Sequence, residues 1–207
     1  WHFNNFGFTQ LQQAITLNGK ISADSSEQLT LAVSNFDLTN INPLIIRKLE
    51  GELNSVIVLN NFYKQQNIQN TLTVKHLLVD DFLFGNIIGN NVWDPVKRIF
   101  NLEFFIDRLE SRIVNCRGFY NPTDKKSPLA ITATFNKANL RIFEPFIDDI
   151  FSQFQGTLSG DYKVSGTLAK PLLSGEGQLE NGAMMINYLK TVYQFKGILG
   201  LTPSSIY

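Results

Sequence analysis

The chain has 207 residues, 43% of them hydrophobic and 17% charged, with 18 basic and 18 acidic residues and zero net charge. This balance lacks the basic stripe of a nucleic-acid binder, and the charged share falls below the usual ~25%. No run approaches the ~18 apolar residues of a membrane-spanning helix, and a lone cysteine, Cys116, makes no intrachain disulfide and reads as a small packed side chain on a strand.

Trp1 stands where an initiator Met would, and no basic stretch followed by an apolar one marks a signal peptide. The chain therefore reads as a segment of a longer protein, with its targeting information elsewhere. Leu29, Leu31 and Val33 alternate with Thr30, Ala32 and Ser34, the period of a strand with one apolar face. Asn42-Pro43 to Gly51 breaks that period. It has an N-cap, a proline at the first helical position and a terminal glycine, and predicts a short helix.

Leu53, Ile57 and Leu59 then share one strand face, with Val56 and Val58 on the other. Leu72 and Val74 alternate with Thr71, Thr73 and Lys75, and Leu102, Phe104 and Ile106 with Asn101, Phe105 and Asp107. Turns are expected at Asn60-Asn61, Gly85-Asn86, Gly89-Asn90-Asn91, Asn121 to Asp124, Lys170-Pro171 and Asn181-Gly182, the last as a hairpin. Asn121 to Ser127 reads as an exposed loop. Leu129, Ile131, Ala133 and Phe135 repeat the strand pattern. A second short helix is expected from Pro145 to Gly156, with Phe146, Ile150 and Phe154 on one face. Each helix is expected to cover apolar side chains at an end of the sheet.

The pattern occurs twice. Phe36 and Phe135 lie 99 residues apart, and so do Gly19 and Gly118. Repeat units of about 11–94 and 109–197 divide the chain into 1–108 and 109–207, with no linker between them. One continuous sheet is expected, as in stacked repeat architectures. Leu158, Tyr162 and Val164 alternate with Ser159, Asp161 and Lys163, while Gly160, Gly175 and Gly177 sit on the apolar side. Glycines there let a sheet curl and leave space above it. The residues alone fit equally an ordinary sandwich whose second sheet fills that space.

Phe154-Gln155-Gly156-Thr157-Leu158-Ser159-Gly160, then Val164-Ser165-Gly166-Thr167-Leu168, then Lys170-Pro171-Leu172-Leu173-Ser174-Gly175-Glu176-Gly177, and finally Tyr188-Leu189-Lys190-Thr191-Val192-Tyr193, resemble the AsmA/TamB family, in particular its TamB-like members of Bacteroidota. Arg117-Gly118-Phe119-Tyr120-Asn121-Pro122 is similar to a turn of that family. The likeness is specific from about 113 to 197. Residues 32–94 depart from it, with Leu53-Asn54-Ser55 in place of the glycine-rich strand and no proline hairpin.

The resemblance implies an all-β fold in which a long curved sheet forms an apolar groove, a β-taco. It implies a bridge-like lipid-transfer protein, anchored in the inner membrane by a segment outside this one and crossing the periplasm. Such a protein carries phospholipid acyl chains toward the outer membrane and has a BamA-family partner. The alternative it leaves open is a scaffold or chaperone for outer-membrane proteins.

The residues expected to line the groove are Leu158, Tyr162, Val164, Leu173, Leu179, Tyr193 and Phe195 in the second unit, with Ile113, Leu129, Ile131 and Phe135. In the first unit they are Leu29, Leu31, Val33, Leu72, Val74, Phe82, Phe84, Leu102, Phe104 and Ile106. A one-residue slip of register would turn any strand's set outward.

Enzyme signals are weak. Asp80-Asp81 would point to opposite faces of a strand, and Asp148-Asp149 falls on a polar helix face. His2 and His76 lack partners at metal-ligand spacing, so no metal and no cofactor is expected. A membrane β-barrel would also alternate, but prolines and expected helices interrupt this pattern too often.

Overall fold

The computed structural model describes residues 1–144, 149–167 and 170–206. Pro145, Phe146, Ile147, Asp148 and Leu168 carry parts of the expectations above and lie outside the described residues.

The chain is all-β. Among the described residues thirteen strands form one sheet whose spatial order is their chain order, β1 to β13. They are β1 (His2–Gln10), β2 (Gln13–Lys20), β3 (Gln28–Asp37), β4 (Leu49–Asn60), β5 (Asn67–Val79), β6 (Phe82–Asp94), β7 (Ile99–Arg108), β8 (Ser111–Tyr120), β9 (Leu129–Asn139), β10 (Phe151–Gly166), β11 (Pro171–Ile186), β12 (Thr191–Thr202) and β13 (Ser205–Ile206). Every neighbouring pair is antiparallel. The sheet is curved and does not close. Nothing in the hydrogen-bonded ladder breaks at 108/109. That boundary falls in the two-residue turn Leu109-Glu110, whose positive φ angles suit a tight hairpin.

A single sheet this long cannot bury both faces. The chain exposes 13204 Å², whereas a compact monomer of 23.4 kDa exposes about 9,700 Å². Most of the buried apolar side chains gather in two clusters. One centres on Val74, Phe82, Phe84 and Val114, the other on Leu158, Tyr162 and Leu179.

The expected helices are absent where the structure is described. Leu38–Leu44 forms a 3-10 helix instead, capped by Asp37, whose carboxylate accepts from the Thr39 N–H at 2.9 Å. It cannot run on toward Gly51. The Asn42 side chain donates to the Leu49 carbonyl at 3.0 Å and accepts from the Leu49 N–H at 2.8 Å, which turns the chain into β4. Gly51 lies inside β4 at φ 140°. In the second unit a 3-10 helix spans Leu140–Phe143, and Phe151 to Gly156 is already strand. The apolar residues of these segments still cover the sheet: Leu38 and Ile142 join the first cluster and Leu140 the second.

Three expected turns are also strand. Gly85-Asn86 and Gly89-Asn90-Asn91 lie within β6. Asn181-Gly182 lies within β11, where Asn181 at φ 50° forms a bulge between the pairs Leu179–Gly197 and Gly182–Phe195. Conversely, Asp80-Asp81 is the β5–β6 turn rather than strand, with φ of 48° and 65°. The Asn121 to Ser127 loop is as expected, closed by Asn121 N–H to the Pro128 carbonyl at 2.7 Å.

Several bulges share one device, a left-handed residue whose free N–H is satisfied by a side chain of the next strand. Asn18 accepts from Asn5 at 2.6 Å, Asn54 from Asn35 at 2.9 Å, Asn86 from His76 at 2.9 Å and Ser159 from Lys137 at 2.9 Å. Bulges bend strands and increase twist, and the acceptors remove the cost of an unpaired backbone donor.

Candidate functional site: the apolar sheet face

Residues paired directly across an antiparallel ladder share a face, so the register traces continuous rows across the sheet. One row runs through Phe8, Ile15, Val33, Ser55, Leu72, Gly89, Phe104, Cys116, Ala133, Tyr162, Gly175 and Leu201. A parallel row runs through Phe6, Leu17, Leu31, Ile57, Asn70, Asn91, Leu102, Gly118, Ile131, Val164 and Leu173. Beyond the first, Phe36, Leu53, Val74, Ile87, Ile106, Val114, Phe135, Gly160, Gly177 and Leu199 form a third. None of these positions carries a carboxylate, a lysine or an arginine. With strands about 4.8 Å apart, the first row extends on the order of 55 Å.

The opposite face is polar along the matching row: Thr16, Ala32, Val56, Thr71, Asn90, Glu103, Arg117, Thr132, Lys163 and Ser174. Phe105 also faces this way, but the Arg112 guanidinium covers its ring at 3.7 Å.

The ladder therefore places the expected residues on one side. Leu29 pairs with Leu59, Leu129 with Gly166, Leu158 with Leu179, Tyr193 with Met184 and Phe195 with Gly182. Phe82 and Phe84 pack in the first cluster. Ile113 reaches the same cluster because a register shift between Ile106 and Asp107 lets both it and Val114 face inward. The face also takes in Phe6, Phe8, Ile15, Leu17, Ile87 and Val114, none of them among the expected lining, together with Leu53, Ile57 and Leu59, whose shared strand face the alternation marks. The alternation of Ile15 and Leu17 with Ala14, Thr16 and Asn18 was available for two of the first six.

The expected residues differ in exposure. Tyr162 is 3% and Leu158 2% exposed, whereas Leu173 is 45% and Tyr193 42% exposed. Phe104, Ile57, Leu31 and Ile131 are half-buried. Gly160, Gly175 and Gly177 do not leave open space in the second unit, although Gly197 does. Tyr162 lies across Gly177, and its hydroxyl reaches the Leu199 carbonyl at 2.9 Å; Phe195 covers Gly182. Burial, with Glu176 as a lesser cause, pushes the Tyr162 hydroxyl's pKa up and keeps it a donor.

One polar strip interrupts the face. Asn91 donates to the Asn70 side chain at 2.9 Å, and Asn70 donates to the Ser55 hydroxyl at 2.9 Å. These side chains also pin the register of β4, β5 and β6. Cys116 sits among the row residues between Phe104 and Ala133, where burial raises its thiol pKa.

Among the described residues no group of His, Cys, Asp and Glu is arranged to hold a metal ion, and no helix is long and apolar enough to cross a membrane. Asp80 and Asp81 are engaged by Arg47 at 3.0 Å and Lys48 at 2.8 Å. No protein-family model matches the chain, nor does any curated protein or solved structure.

Proposed function

We propose that this chain is a non-catalytic lipid-conducting segment whose apolar sheet face carries phospholipid acyl chains, as part of a bridge between inner and outer membranes across the periplasm. The observation that carries the reading is the uncharged row from Phe8 to Leu201, apolar except at Ser55, on a sheet over which the described residues lay no second sheet. Each CH₂ moved from water to such a surface gains about 0.8 kcal/mol. A face whose rows carry no charge binds a chain without fixing it at one place, which is what passage requires. The likeness to TamB-like proteins supplies the membranes and the compartment.

Cys116 is a native reporter for this reading. Its rate of alkylation by N-ethylmaleimide should fall several-fold when a lysophospholipid is added below its micelle concentration. A cysteine placed at Val56, on the other face, in a Cys116→Ser background should react at an unchanged rate. Equal effects at both positions, or none at Cys116, would count against the proposal.

The sheet edges favour a second reading, a holder of outer-membrane proteins. Among the described residues β1 pairs only with β2, and β12 meets β13 only at Leu201 and Thr202. Open edges accept an added strand. Under this reading an unfolded strand peptide, and not the lipid, would protect backbone amides of β1 or β12 from hydrogen exchange.

A further inference from the structure

The geometry points to a headgroup site for an anionic lipid at one corner of the apolar face, built on Arg108 with Arg141 beside it. This rests on the lipid-conducting reading and names the chemical class that the face accepts.

Arg108 ends β7, two residues beyond Ile106 and on the same face. Its guanidinium lies 4.9 Å from the centre of the Phe82 ring. Arg141, from the 3-10 helix between β9 and β10, places its own guanidinium 4.8 Å from the same centre. The two cationic carbons thus lie within about 10 Å of each other around one buried ring.

Several cations of the polar face are paired: Arg112 with Asp107 at 2.9 Å, Arg117 with Glu103 at 2.6 Å and Lys75 with Glu52 at 2.9 Å. Arg141 has Glu144 at 3.5 Å. Arg108 forms no ion pair among the described residues, and its buried Nε–H has no hydrogen-bond acceptor. A buried charged donor without an acceptor is costly. An anion beside the guanidinium would supply the counter-charge that the described residues do not.

The surroundings select the rest of the ligand. Phe82 belongs to the apolar cluster that continues into Ile87 and Ile106, so a tail attached to that anion would lie directly on the apolar rows. An amphiphile with an anionic head, a phosphate or a carboxylate, fits both halves. A neutral one leaves Arg108 as it is. Guanidinium also binds such oxygens with better geometry than ammonium.

The test uses the fluorescent tetraene fatty acid cis-parinaric acid and its methyl ester, titrated at pH 8.5 into the whole chain, Arg108→Gln, Arg141→Gln and Arg108→Lys. Circular dichroism checks that each variant folds. The native chain should bind the acid about tenfold more tightly than the ester, with the preference shrinking as salt rises. Arg108→Gln should abolish the preference while leaving ester binding unchanged. Arg141→Gln should reduce it, and Arg108→Lys should retain part. Equal binding of acid and ester by the native chain, or a preference that survives Arg108→Gln, would overturn the headgroup site while leaving the apolar conduit standing. Failure of both probes to bind would remove the conduit reading and this site together.

Discussion

The Tyr162 hydroxyl on β10 donates to the Leu199 carbonyl on β12 at 2.9 Å, crossing the whole width of β11. It can do so because Gly177 stands beneath it. A methyl group there would lie 2.8 Å from the Tyr162 oxygen, 2.8 Å from Leu158 Cδ1 and 3.0 Å from the Ser159 carbonyl. A glycine in the middle of a strand thus lets a side chain of the neighbouring strand reach across to the second strand over.

Removing the hydroxyl in Tyr162→Phe should cost about 1 kcal/mol. Gly177→Ala should cost about 1–3 kcal/mol through overpacking. The two changes share one contact, so the double variant should lose less than the sum. Urea unfolding followed by fluorescence of Trp93, which packs on Phe100 at 4.7 Å, reads this directly. Strict additivity would mean that the hydroxyl and Gly177 do not interact.

The braced bulges make a second test. His76 holds φ 50°, and its N–H depends on Asn86. Asn86→Ala should destabilise by about 1–2 kcal/mol by orphaning that donor. His76→Gly, which relieves the left-handed backbone, should be neutral or stabilising by up to about 1 kcal/mol. Loss of stability in His76→Gly would show that the imidazole itself contributes.

Much of this fold is legible in the sequence because period-two alternation survives almost every strand. Leu29, Leu31 and Val33 declare their face, and the register agrees. The failures have one physical origin. A left-handed Asn or Gly residue is required both by a tight turn and by a bulge, so Asn181-Gly182 alone does not say whether the chain reverses. Only the partner strand decides, and Phe195 and Gly197 pair on either side of the irregularity. The first expected helix failed for a similar reason. Pro43 and the run from Leu44 to Ile46 look helical locally, but the two hydrogen bonds between Asn42 and Leu49 close the segment early. Arg108 and Arg141 carry no signal in the sequence, since their meeting over Phe82 depends on a connection folding back across several strands.

Acid and alkali should both weaken the fold, through different groups. Backbone N–H groups of Ser127 and Lys126 hold the Asp124 carboxylate below its usual range, and the Thr39 N–H does the same for Asp37. A lowered folded pKa gives stability that is present above the ordinary carboxylate range and lost as pH falls through it. Cys116 has the opposite sense. Its pKa is raised by burial, so its contribution is present below the ordinary thiol range and lost as pH rises beyond it. Urea midpoints should therefore show a plateau near neutrality and fall on both sides, and Cys116→Ala should flatten the alkaline fall alone. An unchanged alkaline limb in that variant would assign the fall to other groups.

Adjacent residues on β4 separate the two faces without moving the backbone. Ile57 lies in the apolar row, whereas Val56, 40% exposed, lies on the polar face. Ile57→Lys should reduce lysophospholipid binding at least about tenfold, since a charge on the path must be desolvated. Val56→Lys should leave it unchanged, and both variants should stay folded. Similar losses from both would mean that binding does not follow the register.

The most direct measurement is photocrosslinking in cells, with a photoreactive residue at Ile57 or at Val56 of the whole protein and mass spectrometry of the adducts. The account predicts phospholipid captured at Ile57 and not at Val56. Capture of protein alone at Ile57, or lipid at both positions alike, would contradict an apolar face that carries lipid.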